Sequence, residues 1–189
     1  LFLADRALMM HAGDEVRSRV ILSEIRGTIN PATADYLESS IARAKAENAQ
    51  ALIVELDTPG GLVTSVQAMA QAIEKSEIPV VIYVTPAGAS ATSAGALLML
   101  ASHVGAMAPG THMGAAHPVD SSGKDIDGAM GKKVLNDTVS FAQGLAELRK
   151  RNREQAGLIV SESKSFTSQE ALDQHLIEIH APTLESLLI

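Results

Sequence analysis

The chain has 189 residues, a formal net charge of −7 and no cysteine. This length suits one domain, residues 1–189, with a sizeable core. The excess of acidic side chains disfavours a nucleic-acid partner, because phosphate-binding surfaces need clustered Lys and Arg. The lack of cysteine excludes disulfides, zinc–thiolate sites and thiol nucleophiles. No run of residues reaches the roughly 18 to 20 apolar positions of a membrane span, so we expect a soluble domain.

The first residues are predicted to form an N-terminal extension, 1–17, ahead of the domain core. Its opening segment is apolar but interrupted by Asp5 and Arg6, and no initiating methionine precedes it. We therefore expect a processed chain or an excised domain of a longer protein, with any targeting or membrane segments outside it.

The next part of the chain alternates between strand and helix patterns. Short apolar runs predict buried strands over 20–25, 51–56 and 79–84. Between the first two, Asn30 and Pro31 are typical of an N-cap and a first helical position. Between the second and third, apolar residues from Val63 to Ile73 recur at helical spacing. This alternation predicts an α/β fold with a mostly parallel sheet flanked by helices.

The second half begins with two short strand patterns, around 104–107 and 112–115. A polar stretch over 120–131, rich in Gly, Ser and Asp, shows neither period and predicts a flexible surface loop. After it we expect a long helix over about 133–151, shorter helices near 154–162 and 168–174, and a last strand at 176–180. The basic cluster of Arg149, Lys150, Arg151 and Arg153 is expected to form a solvated helix face.

A run of small residues, Gly88–Gly95, connects the third strand to the apolar segment 96–100. A serine in such a connection can present its hydroxyl at a helix N-terminus, where backbone N–H groups and the helix dipole stabilise negative charge. Ser93 lies in a variant of the G-x-S-x-G nucleophile motif, with Ala91 in place of the first glycine. The motif is common and, taken alone, is weak evidence for a nucleophile.

A second motif, Asp57-Thr58-Pro59-Gly60-Gly61, directly follows the second strand. Open α/β sheets place their binding crevices at this end of their strands. Two consecutive glycines let the backbone approach a ligand closely and turn N–H groups into a cavity. Combined with the serine turn about thirty positions later, this turn is a candidate oxyanion donor. Asp57 is expected to cap a helix or to hold the glycine turn.

Three motifs together, at 56–61, 88–95 and 107–118, resemble the N-terminal protease domain of the NfeD family, in the Clp protease and crotonase superfamily. The resemblance extends from about residue 20 to the C-terminus. It implies a Clp protease/crotonase-like fold and a serine endopeptidase with Ser93 as nucleophile. It also implies an oxyanion hole formed by the backbone N–H groups of Gly61 and Ala94. Ser90 is the rival hydroxyl, disfavoured because it precedes the expected helix.

The resemblance also implies a lysine as general base, and Lys133 is the favoured candidate, with its neighbour Lys132 as an alternative. A lysine must be neutral to act as a base, and burial favours the neutral form. Lys133 opens the long helix and precedes an Asn-Asp pair, which resembles the bacterial members of the family. Archaeal members are expected to place the lysine about ten residues later, where this chain has Gln143.

His117 is the other candidate base, because it follows Ser93 at close to the spacing of the Clp protease histidine. An imidazole can act near neutral pH without unusual burial. A Ser-His pair usually needs an acid to orient the ring. Where the Clp pattern has its aspartate, this chain has Lys164-Ser165-Phe166, so a Ser93/Lys133 dyad is favoured. The histidines form no metal-ligand set, and we expect no metal.

By resemblance, the chain is expected to be a serine endopeptidase that needs no cofactor and cleaves hydrophobic segments of stomatin-like membrane proteins. The resemblance further implies a homo-oligomer, expected to be a dimer, and a membrane-tethered domain outside the cytoplasm. Two alternatives stay open. One is a crotonase-like acyl-CoA enzyme, which would hold an enolate with the same backbone N–H groups. The other is a catalytically inactive scaffold domain for membrane-protein assembly.

Overall fold

The computed structural model describes residues 6–9, 19–120 and 123–189. The strands are β1 (Arg6–Met9), β2 (Arg19–Arg26), β3 (Ala51–Asp57), β4 (Val80–Val84), β5 (Ser90–Thr92), β6 (Val104–Met107), β7 (His112–Gly114), β8 (Ser165–Thr167) and β9 (Ile179–His180). The helices are α1 (Pro31–Ala46), α2 (Val63–Glu74), α3 (Ala94–Ala101), α4 (Gly128–Leu148), α5 (Arg153–Ser161), α6 (Ser168–Asp173) and α7 (Leu184–Leu187).

The strands form two sheets. The larger has the order β1-β2-β3-β4-β6-β9, and all its neighbours are parallel except β1, which pairs antiparallel with β2. The smaller has the order β5-β7-β8, with β5 parallel to β7 and β7 antiparallel to β8. A bridge between Thr58 and Ala91 joins the end of β3 to β5. The glycine turn and the serine turn therefore lie side by side, as their positions after parallel strands predict.

Helix α3 is the most enclosed element of the domain. All eight of its residues are buried, whereas α1 and α2 bury only one face each. A helix that is apolar on all sides must be surrounded by protein. The main core lies between these helices and one face of the large sheet, and a smaller cluster around Ile53 and Tyr83 covers the other face beneath α7.

The start of α1 confirms the helix signal at Asn30 and Pro31. The Asn30 side chain accepts a hydrogen bond from the Thr33 N–H, and the Thr33 hydroxyl accepts one from the Asn30 N–H. This reciprocal capping box satisfies two backbone donors at a helix end, where no intrahelical partner exists. None of the helices in the described ranges is long and apolar enough to cross a membrane.

Three boundaries differ from the sequence prediction. Helix α4 begins at Gly128, so the end of the stretch predicted as a loop, 120–131, is helical; glycines at 128 and 131 hide the helix pattern there. The predicted last strand is reduced to the two residues of β9. Within the expected N-terminal extension, 6–9 form an edge strand on β2, and the rest of that segment lies outside the described residues.

The prediction of a solvated basic cluster is wrong for Arg151, which is 6% exposed, and for Arg149, whose side chain is 14% exposed and pairs with Glu74. The contacts of Arg151 show why. Its guanidinium donates to both carboxylate oxygens of Glu178, with Nε to Oε1 at 2.7 Å and Nη2 to Oε2 at 2.6 Å. Its Nη1 donates to the Met99 carbonyl at 2.6 Å. A buried guanidinium needs such partners, because an unpaired charge away from water is costly. Lys150 and Arg153 are exposed, as predicted.

Candidate active site

Ser93 is the N-cap residue of α3 and has an unusual backbone, with φ 52° and ψ −114°. Non-glycine residues rarely adopt a positive φ, and such strain persists only where neighbouring contacts hold it. One of these contacts is the Ser93 N–H, which donates to the Gly114 carbonyl at 2.9 Å. The side chain is half-buried, and its hydroxyl makes no hydrogen bond within the described residues. The turn therefore presents an uncommitted hydroxyl at a helix N-terminus.

The small residues around Ser93 are required by close packing. A Cβ at Gly60 would lie 2.8 Å from the Ser93 Cβ and 3.3 Å from its Oγ, and Gly60 itself has φ 121°. A Cβ at Gly95 would lie 2.5 Å from Cγ2 of Thr58. The glycine turn is thus packed directly against the serine turn. Ala91, which departs from the nucleophile motif, is a buried residue of β5, where a methyl group is accommodated.

The two predicted oxyanion donors both carry free backbone N–H groups. Ala94 is the first residue of α3, where an N–H has no intrahelical acceptor. Neither it nor the N–H of Gly61 donates to another described residue. A Cβ at Gly61 would lie 2.0 Å from the Ile29 carbonyl oxygen, so only glycine fits there. Both donors flank the contact between Gly60 and Ser93, next to the positive end of the α3 dipole.

Asp57 connects the two turns and does not cap a helix. Its Oδ1 accepts a hydrogen bond from the Ser90 N–H at 3.0 Å, so it holds the strand that leads to Ser93. This bond agrees with the expected role of Asp57 in holding a turn and not with helix capping. The Ser90 hydroxyl donates to the Thr58 carbonyl at 3.2 Å. Because that hydroxyl is engaged, the geometry favours Ser93 over Ser90.

Lys132 and Lys133 lie in the second turn of α4, and both are exposed. Neither makes a hydrogen bond or an ion pair with the part of the chain that the structure describes. Within the described residues, Ser93 therefore lies beside its expected donors but makes no hydrogen bond to either lysine. Loss of water around a lysine favours its neutral, basic form. In the described part of the chain, both Lys132 and Lys133 remain exposed to water.

His117 makes no hydrogen bond to Ser93 within the described residues. Its Nδ1 lies 3.3 Å from the Val160 carbonyl oxygen, and its Nε2 lies 3.8 Å from Oδ1 of Asp125. Residues 164–166, where the Clp pattern has its aspartate, contain no acid. The carboxylate that faces the His117 ring is that of Asp125, from the polar loop. Sequence reasoning missed Asp125 because its approach depends on a bridge between Val119 and Asp125 within that loop. Within the described residues, no group of His, Asp and Glu is arranged to hold a metal ion.

Comparison with known proteins places the chain in a family. The family model described as "NfeD1b, N-terminal domain" matches residues 19–186. The chain belongs to this family. The family resemblance predicted from the three motifs is therefore confirmed.

The chain is similar to two curated relatives. The membrane-bound protease PH1510 of Pyrococcus horikoshii is 39% identical over 172 residues, covering 89% of this chain and 38% of the relative. The membrane protein NfeD1b of Bacillus subtilis is 40% identical over 112 residues, covering 59% of this chain and 25% of the relative. The chain thus spans well under half the length of these relatives.

Solved structures confirm the α/β, Clp protease-like fold. A serine-to-alanine variant of 1510-N, named a membrane-bound stomatin-specific protease, matches with a TM-score of 0.83 at 38% identity, covering 89% of this chain and 81% of that one. A lysine-to-alanine variant of the same protease, in complex with a substrate peptide, also matches with a TM-score of 0.83 at 38% identity, covering 89% and 77%.

The positions replaced in those two variants lie 41 residues apart in the archaeal chain. In the present chain Lys133 follows Ser93 by 40 residues. The expectation that archaeal members carry the lysine about ten residues later, opposite Gln143, is therefore wrong. Gln143 instead packs against α5, where a Cβ at Gly157 would lie 2.7 Å from its Nε2.

Proposed function

We propose that this NfeD1b-type domain is a serine endopeptidase in which Ser93 attacks the substrate and the N–H groups of Gly61 and Ala94 hold the oxyanion. The observation that carries the proposal is the strained Ser93 backbone at the buried N-terminus of α3, beside two unpaired N–H groups. Backbone strain of this kind is concentrated at functional sites. Donors fixed before the reaction stabilise developing charge without reorganisation.

The chemistry follows from these positions. The neutral amine of Lys133 takes the proton of the Ser93 hydroxyl as its oxygen bonds to the peptide carbonyl carbon, and the carbonyl oxygen becomes an oxyanion. The tetrahedral intermediate then breaks the C–N bond, and the lysine returns the proton to the leaving amine. Water hydrolyses the resulting Ser93 ester by the same steps. The role of Lys133 is supported by its spacing from Ser93, which is within one residue of that in the archaeal protease.

Because Lys133 is exposed in this state, bound substrate or another chain must exclude water from it before it can act as a base. Lys132 and His117 remain the alternative bases. The ring nitrogens of His117 lie near the Val160 carbonyl oxygen, at 3.3 Å, and Oδ1 of Asp125, at 3.8 Å, and His117 makes no hydrogen bond to Ser93 within the described residues.

The proposed substrates are hydrophobic segments of stomatin-like membrane proteins. The archaeal relatives are named as stomatin-specific and membrane-bound, and one was solved with a substrate peptide. In the present domain, apolar side chains are exposed beside the glycine turn and on α4, namely Leu62, Val63 and Met130. Exposed apolar groups near a catalytic centre suit a hydrophobic substrate. We also propose that the domain forms a homo-oligomer, specifically a dimer. Its proposed location is membrane-associated and outside the cytoplasm.

Labelling by a fluorophosphonate and cleavage of a hydrophobic peptide test the proposal. Ser93→Ala is expected to abolish labelling and to lower kcat by about 10⁴-fold or more, as loss of a serine nucleophile does. Ser90→Ala is the matched control and should keep both. Lys133→Ala should lose cleavage while Lys132→Ala retains it. Full activity in Lys133→Ala with loss in His117→Ala would assign the base to the histidine.

The same assays separate the two alternative functions. An acyl-CoA enzyme of the crotonase type would turn over thioesters after Ser93→Ala, because an enolate needs only the backbone donors. A scaffold domain would neither label nor cleave, even when folded and oligomeric. The strained serine favours the peptidase, since neither alternative requires a positioned hydroxyl.

A further inference from the structure

Thr58 is a fully buried threonine between the two halves of the candidate oxyanion hole. Its Oγ1 accepts a hydrogen bond from the Gly60 N–H at 3.0 Å and donates one to the Gly60 carbonyl at 3.2 Å. Its Cγ2 occupies the space in which a Cβ at Gly95 would lie, 2.5 Å away. One side chain therefore contacts the glycine turn with its hydroxyl and the N-terminus of α3 with its methyl group.

The hydroxyl acts on the peptide that joins Gly60 to Gly61. A trans peptide is planar, so its carbonyl and its N–H point in opposite directions. The Gly60 carbonyl accepts hydrogen bonds from the Thr58 hydroxyl and from the Ile29 N–H, the latter at 2.8 Å. Because these two bonds fix the Gly60 carbonyl, the Gly61 N–H points the opposite way. There it has no acceptor among the described residues. Gly60 has no side chain to restrict rotation of this peptide, so these bonds supply the restriction.

The backbone of Thr58 connects the same centre to β5. Its N–H donates to the Ser90 carbonyl at 2.7 Å, and its carbonyl accepts from the Thr92 N–H at 3.1 Å. The residue before the nucleophile is thus hydrogen-bonded to the residue that controls the glycine turn. A shift of either turn relative to the other would break this pairing, so the distance between the two donors is set at Thr58.

We propose that Thr58 is the positioning residue of the oxyanion hole: its hydroxyl orients the Gly61 N–H, while its methyl group packs against Gly95, next to the Ala94 N–H. The proposal rests on the proposed peptidase function. It assigns Thr58 no contact with substrate. The residue acts through Gly60 on one side and through Gly95 on the other.

The test compares Thr58→Val, which keeps the shape and loses the hydroxyl, with Thr58→Ser, which keeps the hydroxyl and loses the methyl group. The readouts are kcat and KM for a fluorogenic hydrophobic peptide, and the affinity of a peptide aldehyde whose adduct with the serine places an oxyanion in the hole. Loss of an oriented oxyanion donor costs about 10²- to 10³-fold in kcat, and partial misorientation costs less. We expect Thr58→Val to lower kcat about 30-fold with KM unchanged, and to weaken the aldehyde by a similar factor.

Thr58→Ser is expected to retain kcat within about fivefold, because the hydrogen bonds to Gly60 persist. Thr111→Val is the matched control, since Thr111 is also buried and donates its hydroxyl to a backbone carbonyl, at 2.6 Å, outside the glycine turn. A general loss of stability would appear in both valine variants. It would not produce a fall in kcat with unchanged KM in Thr58→Val alone. Thermal unfolding of each variant accompanies the kinetics.

Wild-type kcat and aldehyde affinity in a folded Thr58→Val would overturn the proposal, and so would a rise in KM without a fall in kcat. If Thr58→Val does not fold, Thr58→Ser decides: a tenfold or greater loss of aldehyde affinity with the hydroxyl retained would overturn the assignment of the donor's orientation to that hydroxyl. A wild-type protein that neither labels nor cleaves would overturn the peptidase function and this proposal with it. Failure of Thr58 alone leaves an active wild type, so the two failures are distinguishable.

Discussion

Helix α3 leaves the N–H groups of Ala94 and Gly95 without a hydrogen bond to any other described residue, whereas the carbonyls at its opposite end are bonded by side chains. The Met99 carbonyl accepts from Arg151 and from the Ser102 hydroxyl, and the Ala101 carbonyl accepts from Nε of Arg149 at 3.0 Å. Cations at a helix C-terminus and unpaired donors at its N-terminus both match the helix dipole. The carbonyls at the C-terminal end are hydrogen-bonded by side chains, and the N-terminal end retains unpaired donors.

This comparison predicts that changes at the N-terminal end reduce activity more than stability. Gly60→Ala should have the largest effect, a loss of about 100-fold or more in kcat, because its Cβ would lie 2.8 Å from that of Ser93 and must displace one of the turns. Gly60 has φ 121°, so alanine also carries a backbone cost of about 1–3 kcal/mol. Peptide cleavage and chemical denaturation measure the two effects.

Gly88→Ala separates backbone strain from the contact with the nucleophile. Gly88 also has a positive φ, of 91°, but a Cβ there would meet no atom within 4 Å. It should destabilise the protein by a similar amount while kcat stays within a few fold of wild type. Equal activity losses in the two variants would contradict the idea that Gly60 is required by its contact with Ser93.

At the C-terminal end, Arg151→Met should reduce stability and leave the activity of each folded molecule unchanged. The variant removes the paired guanidinium and its bond to Met99, which we expect to cost about 3 kcal/mol. This lies at the low end for a buried ion pair, because the Glu178 side chain is 38% exposed and keeps part of its hydration. Urea denaturation measures the loss, and fluorophosphonate titration of folded sites normalises the activity.

Arg153→Met is the control for charge. Arg153 pairs with Glu147 at 3.7 Å, and both side chains are mostly exposed, so its loss should cost less than about 1 kcal/mol. If Arg151→Met were as stable as Arg153→Met, the C-terminal end of α3 would not depend on its buried cation.

The two ends also differ in how far the sequence predicts them. Ser93 and Gly61 are predicted as site residues from short motifs that are weak singly and indicate a family when three of them occur in order. The parallel sheet follows from apolar runs alternating with amphipathic helices. For Arg151 the sequence predicts a solvated side chain, since short basic clusters are usually exposed and its partner Glu178 lies 27 positions away.

Thr58 was inconspicuous in sequence for a different reason. A threonine in a turn is common, and its burial depends on the bridge from β3 to β5, a strand of only three residues that carries no period. The helix start at Gly128 was missed because two glycines lower the helix propensity of its first turn. For Thr58 a tertiary contact decides the structure, and local pattern does not.

The smallest expected effect is a pH dependence at the C-terminal end, centred on His103. Its Nδ1 accepts a hydrogen bond from the Val80 N–H at 3.1 Å, which requires an unprotonated nitrogen. Burial lowers the pKa of His103, the Arg149 and Arg151 guanidinium groups lower it further, and the Glu74 carboxylate opposes them. The folded-state pKa therefore lies below the unfolded value near 6.5, and the unfolded chain binds the extra proton first.

The contribution of His103 should thus be fully present above about pH 6.5 and be lost as the pH falls below it. We expect a loss of about 1 kcal/mol, the size of one hydrogen bond, in the free energy of unfolding between pH 7.5 and 5. His103→Asn offers an amide oxygen as the acceptor and cannot be protonated in this range, so its profile should be flatter than that of wild type. Since His103 lies beyond the C-terminal end of α3, kcat at pH 7.5 should be unchanged. Identical pH profiles in the two proteins would mean that this end of α3 is stabilised without the histidine.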